Sequence, residues 1–286
     1  MLQEKLFTNK DIARYYDLSE VHYRLFWDLE KSRSLHYGFW DATTKNFHQS
    51  LLNTNKMLAT HAKITKDDLV LDAGCGVGGS SIWLAKNIGC KVVGISLSDN
   101  QVKHAISFAK KENITGLVTF AKKDFTATGF DDASFDVVWG LESVCHAPDK
   151  KLFINEAKRI LKKDGRIVVA DFFKKDKLAG TEAALIKRWA HGWAIDDFAT
   201  VESFSQQLEE AGFINITCKD ASSNILPSAK RLYRSYFIGV IAALIYRLFN
   251  RKATTLGKNN VDTAMLQYKT LKKDLWKYAI FSAEKN

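Results

Sequence analysis

The chain has 286 residues, of which 46% are hydrophobic, and its formal net charge is +10. This composition supports one large α/β domain with insertions, and two prolines are too few for a proline-rich linker. The first residues lack the apolar core of a secretory signal, and the four cysteines form no C-x-x-C pair, so we expect a cytoplasmic protein with reduced thiols and no zinc or disulfide framework.

Residues 1–66 predict a helical lead-in, or lid, that is dense in aromatic side chains. Most of these aromatics fit a core-packing stripe at helical spacing. Tyr37 and Trp40 lie near Gly38 in a predicted turn, and they are better candidates for the rim of a ligand pocket. An amphipathic helix is predicted over 46–63, and it leads into the first strand of the core.

Apolar runs and helical patterns alternate along residues 67–221, which we interpret as the core domain. The alternation is typical of a doubly wound α/β fold, with a mostly parallel sheet whose strands bind ligands at their carboxyl ends. A last strand within 276–286 brings the predicted sheet to seven strands. The predicted strands are 68–73, 91–95, 117–121, 135–140, 166–171, 213–218 and 276–283, and the predicted core helices are 79–88, 99–111, 150–162, 181–191 and 201–211.

The segment 222–275 is predicted to be a helical cap inserted before the last strand. Within 230–277, eleven Lys and Arg stand against Asp262 and Asp274, which gives a charge of +9. The apolar run 237–249 is shorter than the roughly twenty residues that span a bilayer. It fits a buried cap helix, or a cap helix that also touches a lipid surface. Because the basic residues are concentrated here, nucleic-acid binding is not expected.

A glycine-rich stretch follows the first predicted strand and opens the first core helix. Gly74, Gly76 and Gly79 satisfy the G-x-G-x-x-G pattern, in which glycine permits a tight turn and close approach of a ligand. Asp72 would repel a pyrophosphate at the helix N-terminus, whereas it suits S-adenosylmethionine, which carries an ammonium and a sulfonium. Ser96 replaces the acid that usually binds ribose in nucleotide-binding sheets, which also opposes a nicotinamide cofactor.

Two more strand ends carry candidate chemistry. Asp124 and Phe125 follow the third strand, and an acid beside an aromatic ring suits adenine, which has an amine to donate and a face to stack. Glu142 and His146 follow the fourth strand four positions apart, so a helical turn would project both toward a bound methyl group. Either pair is also compatible with a structural role. No third ligand is suggested nearby, so no metal site is predicted.

Together these motifs resemble the class I S-adenosylmethionine-dependent methyltransferases. Within that class they are similar to the branch of the sterol C-methyltransferases, tocopherol methyltransferases and cyclopropane-fatty-acid synthases. The likeness covers residues 35–220, and it is carried by the segments 36–40, 72–79, 94–101 and 141–148. The resemblance implies a Rossmann-like methyltransferase fold.

The resemblance also assigns roles to residues. Tyr37 would contact the methionine carboxylate, Asp124 and Phe125 would hold adenine, and Glu142 would lie beside the reacting centre. The implied cofactor-binding residues are Tyr37, Asp72, Gly74, Gly76, Ser96, Leu97, Gln101, Asp124, Phe125 and Leu141, and the implied catalytic residues are Glu142 and His146.

The implied reaction is transfer of a methyl group to carbon in a lipophilic small molecule such as a prenyl lipid, a sterol or a terpenoid. O- or N-methylation of a phenolic or natural-product acceptor is the alternative. Asp72 and Ser96 oppose a nicotinamide-dependent oxidoreductase, and only turnover separates an enzyme from a non-catalytic binder. The basic insertion matches no segment of the family. Its charge suggests that 230–277 touches an anionic membrane or a substrate diphosphate.

Overall fold

One sheet of seven strands organises the molecule. The strands are β1 (Leu69–Ala73), β2 (Lys91–Ser96), β3 (Val118–Lys122), β4 (Phe135–Leu141), β5 (Leu161–Lys174), β6 (Phe213–Asp220) and β7 (Trp276–Lys285). They lie in the order β3-β2-β1-β4-β5-β7-β6, and only the pairs that include β7 are antiparallel. The predicted doubly wound, mostly parallel sheet of seven strands is confirmed.

Helices make up most of the remaining secondary structure. The helices are α1 (Asn9–Trp27), α2 (Leu29–Ser32), α3 (Phe47–His61), α4 (Gly79–Asn87), α5 (Asp99–Lys111), α6 (Lys150–Ile160), α7 (Gly180–Gly192), α8 (Val201–Glu210), α9 (Ser222–Phe249) and α10 (Leu256–Lys272). The structure is a computed structural model that describes residues 6–27, 29–249 and 256–286, and within 20–27, 236–249 and 256–261 it describes the backbone alone.

The core consists of two apolar clusters, one on each face of the sheet. Val70 and Leu71 are successive residues of β1, yet they belong to different clusters because side chains alternate along a strand. Val137, Val138 and Trp139 of β4 are all fully buried. Strands buried on both faces read as continuous apolar runs, which is why the sequence located them. The carboxyl ends of these strands are therefore held on a rigid support.

The predicted insertion contains α9 and α10, which pack on each other, and α10 also packs on α7. It is tied to segment 36–40, which is part of neither a helix nor a strand. Ser228 Oγ accepts from the Gly38 amide at 3.1 Å and from Trp40 Nε1 at 3.0 Å, so Trp40 faces the insertion rather than a pocket rim. The predicted contact of run 237–249 with a pocket or with lipid depends on side chains that lie outside the described part of the structure. Along the part of the chain that the structure describes, no helix is both long and apolar enough to cross a bilayer.

Candidate functional site

A cleft opens at the carboxyl ends of β1, β2 and β4, the place where doubly wound sheets bind ligands. Its empty volume is ≈ 820 Å³, which includes open solvent at its mouth. Side chains of α1 and of segment 33–36 line it together with the strand ends, so the cleft is covered from the N-terminal side of the chain.

The turn between β1 and α4 takes backbone conformations that favour glycine. Gly74, Gly76 and Gly78 have φ values of 98°, 53° and 85°. A Cβ atom on Gly79 would lie 1.9 Å from the carbonyl oxygen of Arg33, so the two segments can pack this closely only because position 79 has no side chain. The glycine pattern therefore serves both the turn and the covering of the cleft.

Asp72, on β1, lines the cleft although its side chain is buried. Its Oδ2 accepts a hydrogen bond from Ser81 Oγ at 2.6 Å. Burial raises the pKa of Asp72 to about 6, while the hydrogen bonds from Ser81 act in the opposite direction. The carboxylate is thus ionised at neutral pH in a poorly hydrated place, and a cationic ligand in the cleft would stabilise it.

The end of β2 supplies polar groups without a carboxylate of its own. Ser96 Oγ donates to Gln101 Oε1 at 2.7 Å, and both residues line the cleft. Ser98 caps α5 by accepting from the Gln101 amide, and its hydroxyl donates to Asp17 Oδ1 at 2.7 Å. This network presents hydroxyl and amide groups to a ligand, and it ties α1 to the rim of the site.

Glu142 follows β4 in a left-handed backbone conformation, with φ of 50°, that non-glycine residues rarely adopt. Its Oε1 accepts from the Tyr37 amide and from the Tyr278 hydroxyl, each at 2.8 Å. Burial raises the pKa of Glu142 to about 8, and these two hydrogen bonds only partly oppose the rise. Glu142 is therefore largely protonated at neutral pH, and a cation nearby would favour its ionised form.

His146 lies in a short 3₁₀ turn, Val144–His146, directly after Glu142 and Ser143. Its Nε2 lies 2.8 Å from the Tyr16 hydroxyl, and its Nδ1 lies 3.3 Å from the carbonyl oxygen of Ala194. Burial lowers the pKa of His146 to about 4. The imidazole is therefore neutral at physiological pH and carries a basic lone pair.

Two charged side chains hold this turn through hydrogen bonds to its backbone. Lys150 Nζ donates to the carbonyl oxygens of Cys145, Ala147 and Asp197 at 2.9, 2.7 and 2.9 Å. Asp171 Oδ2 accepts from the Cys145 amide at 2.8 Å. Burial raises the pKa of Asp171 to about 6, and burial lowers that of Lys150. Both hold the turn that carries His146, and neither stood out in the sequence because their partners are backbone atoms.

The structure brings most of the predicted site residues to this one cleft. The exceptions are Tyr37 and Asp124. Whether the residues in the cleft bind the cofactor or act in catalysis stays a prediction. The predicted residues that line the cleft are Asp72, Gly74, Gly76, Ser96, Leu97, Gln101, Phe125, Leu141, Glu142 and His146.

Tyr37 is buried beside the cleft and is not one of its lining residues. Its side chain is 2% exposed, its hydroxyl donates to Gln267 Oε1 at 2.8 Å, and its ring packs edge-on against Phe172. It meets the site through its amide, which donates to Glu142. The contact of Tyr37 with the methionine carboxylate stays a prediction, and in this structure the backbone amide of Tyr37, rather than its hydroxyl, contacts a residue that lines the cleft.

The predicted contact of Asp124 with adenine also stays a prediction. It lies beside the cleft lining and accepts from Asn9 Nδ2 at 2.6 Å and from the Thr126 amide at 2.7 Å. The side-chain NH₂ of Asn9 donates to the carboxylate of Asp124, as the amine of a bound adenine would. Asp124 can hold adenine only if it releases Asn9 or shares an oxygen with it.

Sequence reasoning missed the lining side chains that come from α1 and the segment after it. Ile12, Tyr16, Arg33 and His36 all line the cleft, although they are far along the chain from the strand ends. The aromatic density of residues 1–66 was the available signal, and it did not show which ring faces the site. Among the residues that the structure describes, no group of three or more His, Cys, Asp or Glu is arranged to hold a metal ion.

Comparison with known proteins gives this geometry a context. Residues 71–169 match the model of a methyltransferase domain family. The chain is 31% identical over 221 residues to 27-O-demethylrifamycin SV methyltransferase of Amycolatopsis mediterranei, which covers 77% of this chain and 80% of that protein. It is 36% identical over 202 residues to 2-methyl-6-phytyl-1,4-hydroquinone methyltransferase of Synechocystis, which covers 68% of this chain and 62% of that protein. The chain thus spans less than two thirds of the hydroquinone enzyme.

The fold also matches solved structures. The cyclopropane synthase MmaA2 of Mycobacterium tuberculosis superposes with a TM-score of 0.84, over 99% of this chain and 100% of that one. Sequence identity in that superposition is 16%, so this likeness concerns the fold.

Proposed function

The chain belongs to the class I S-adenosylmethionine-dependent methyltransferases, in the branch that includes sterol and tocopherol methyltransferases, and we propose that it methylates a lipophilic small molecule in the cleft described above. One observation carries the proposal: a single cleft unites the glycine turn and Asp72 with Glu142 and His146. The first pair of features suits a cationic nucleoside, and the second pair suits the handling of charge and protons.

We propose that the β1, β2 and β3 ends hold the cofactor. The glycine turn permits close backbone approach, Asp72 would face a cationic group, and Ser96 with Gln101 would face the ribose hydroxyls. Phe125 lines the cleft and offers a face for adenine. When bound, S-adenosylmethionine supplies the methyl group as a good electrophile, and the protein positions the acceptor and excludes water. Such positioning can contribute on the order of 7–11 kcal/mol.

The acceptor side of the cleft supports methylation at carbon. Attack by an alkene or an aromatic ring leaves positive charge on the acceptor, and the ionised form of Glu142 would stabilise that charge. Behind Glu142 the rings of Tyr37, Tyr278 and Phe172 form one packed cluster, which keeps the environment apolar. An apolar setting strengthens the electrostatic effect of the carboxylate. The hydroquinone relative, named for a phytyl-bearing acceptor, supports a lipophilic substrate.

Methylation at oxygen is the second candidate. The rifamycin relative is named for a 27-O-demethyl acceptor. His146 is neutral at physiological pH, so it would accept the proton of an acceptor hydroxyl. A carbon acceptor and an oxygen acceptor differ in the product, which mass spectrometry with labelled S-adenosylmethionine distinguishes.

The basic segment 230–277 would place the enzyme where such acceptors reside. Its +9 charge is expected to attract an anionic surface at about 1 kcal/mol per nearby basic residue, or a substrate diphosphate. Vesicle flotation with and without anionic lipid tests the membrane contact. Absence of binding would remove that contact and leave the methyl transfer intact.

The decisive experiment has two arms. Calorimetry with S-adenosylhomocysteine and with NAD tests the proposed cofactor-binding site. Binding heat with NAD and none with S-adenosylhomocysteine would overturn the assignment. Turnover of labelled S-adenosylmethionine with a phytyl hydroquinone, a sterol, geranyl diphosphate and a small uncharged phenol tests the acceptor class. Preference for the small polar phenol would exclude a lipophilic acceptor.

A further inference from the structure

The hydroxyl of Tyr16 reaches the site from α1 and lies 2.8 Å from Nε2 of His146. The two rings also pack at an angle, with centroids 5.4 Å apart. Both residues line the cleft together with Glu142. The contact joins parts of the chain 130 residues apart, so it depends on α1 lying against the core.

The direction of this hydrogen bond follows from the other side of the imidazole ring. Nδ1 of His146 faces the carbonyl oxygen of Ala194, which can only accept, so Nδ1 carries the proton. A neutral imidazole has one N–H, and burial keeps this ring neutral. Nε2 is therefore an acceptor, and Tyr16 donates to it. The basic nitrogen of His146 is therefore occupied by the Tyr16 hydroxyl, whose oxygen keeps lone pairs that can accept a proton.

We propose that Tyr16 is a further catalytic residue, which takes the proton released by the methyl acceptor and passes its own proton to His146. The proposal rests on the proposed function, because it needs an acceptor that loses a proton at the methylated atom. Tyr16 belongs to the aromatic stripe of the N-terminal lead-in, and it lies outside the residues 71–169 that match the family model.

The step balances as follows. The C–S bond of the cofactor breaks and its electron pair stays on sulfur, while the acceptor supplies the pair for the new bond to the methyl carbon. The methylated acceptor is then positively charged, and it loses a proton to the Tyr16 oxygen. The Tyr16 proton moves to His146 Nε2 in the same event, so Tyr16 remains neutral and His146 becomes imidazolium. The imidazolium then loses its proton to water.

Glu142 is less suited to take this proton directly. Its Oε1 already accepts from Tyr37 and Tyr278, and burial raises its pKa to about 8. At neutral pH, before a cation enters the cleft, it therefore carries a proton itself. Glu142 is better placed to stabilise positive charge, and the Tyr16–His146 pair is better placed to remove the proton.

The test compares Tyr16→Phe, His146→Ala and the double variant, with 2-methyl-6-phytyl-1,4-hydroquinone as acceptor. Loss of a general base typically costs about 10²-fold or more, so we expect kcat to fall by about that factor in each single variant. Because the two residues act as a unit, the double variant should be no slower than the slower single variant. Affinity for S-adenosylhomocysteine should be little changed.

A matched control separates proton transfer from the docking of α1. Asn9→Ala removes a contact of the same helix, to Asp124, without touching His146. We expect a much smaller loss of kcat than in Tyr16→Phe. Equal losses in these two variants, additive losses in the double variant, or a faster Tyr16→Phe enzyme would each overturn the relay. The last result would show that Tyr16 blocks His146 instead.

A second measurement needs no acceptor. The ¹⁵N resonances of His146 should show Nδ1–H and a hydrogen-bonded, unprotonated Nε2, and Tyr16→Phe should shift Nε2 toward a free imidazole nitrogen. A proton found on Nε2 would overturn the proposal. If the wild-type chain binds S-adenosylhomocysteine but methylates no lipophilic acceptor, the proposed substrate class fails, and this measurement still decides the relay.

Discussion

Helix α1 and the α9–α10 insertion are both helical additions to the same core, but they meet the cleft in different ways. Side chains of α1 line it, and Tyr16 contacts His146 directly. The insertion contacts the site indirectly: its Gln267 accepts from the hydroxyl of Tyr37, and the amide of Tyr37 donates to Glu142. None of the described side chains of 222–275 lines the cleft. Among the described side chains, those of α1 therefore cover the cleft, and those of the insertion support it from outside.

The largest effect is expected where both regions converge, at Glu142. Glu142→Gln keeps the shape of the side chain but cannot carry the negative charge that stabilises a cationic acceptor. We expect kcat to fall by roughly 10²- to 10³-fold, with nearly unchanged affinity for S-adenosylhomocysteine. Glu209→Gln, the same change at an exposed position, is the control. Near-wild-type turnover by Glu142→Gln would make Glu142 a purely structural residue.

The pH dependence of stability tests the same carboxyl without turnover. Its pKa is raised to about 8 in the folded chain, so between pH 4.5 and 8 the folded state binds more protons than the unfolded state. The contribution of this carboxyl to the free energy of unfolding is therefore lost as the pH rises toward 8, by up to about 1.4 kcal/mol per pH unit.

Because buried histidines and other carboxyls also titrate, the comparison with Glu142→Gln isolates this contribution. Urea unfolding of both proteins between pH 6 and 8.5 should show the free energy of unfolding of wild type falling relative to that of the variant. Parallel curves would contradict the raised pKa.

The insertion should matter more for stability than for cofactor binding. Gln267→Ala leaves the buried Tyr37 hydroxyl without its acceptor, which typically costs about 1–3 kcal/mol in the free energy of unfolding. Gln206→Ala, at an exposed position, should change stability by less than about 0.5 kcal/mol. If Gln267→Ala instead abolished S-adenosylhomocysteine binding at unchanged stability, the insertion would be a direct part of the cofactor site.

The smallest effect concerns the contact between α1 and the expected adenine carboxylate. If Asp124 binds adenine, Asp124→Ala should weaken S-adenosylhomocysteine binding by about 0.5–1.5 kcal/mol, the usual value of one hydrogen bond. Asn9→Ala removes the competing donor and should not weaken binding. Equal weakening in both variants would mean that Asp124 serves only to dock α1. Calorimetry of the two variants decides between these roles.

The sequence predicted the fold well because its signals are local. The apolar runs of β1 and β4 and the helices between strands lie within a few residues of their predicted bounds. Strand β5 is longer than predicted, Leu161–Lys174, because Leu161 pairs with Phe135 of β4 and the far end pairs with β7 up to Lys174. Neither pairing is visible locally.

The site was predicted only as far as its residues lie at strand ends. Asp72 and Glu142 follow buried strands, so their position could be inferred. The partners of Tyr37 and Asp124 are distant, at Gln267 and Asn9, and no local pattern indicates which neighbour a side chain will find. The left-handed backbone conformation of Glu142 is likewise not indicated by any local pattern in the sequence.

The position of β7 has a consequence for how the protein is made. Although it comes last among the seven strands, it lies between β5 and β6, and β6 pairs with no other strand of the described chain. On the ribosome, β6 must therefore wait, unpaired, while α9 and α10 are synthesised. Exposed strand edges of this kind invite association between chains. A premature stop codon before Trp276 should yield an insoluble product, whatever the state of the catalytic residues.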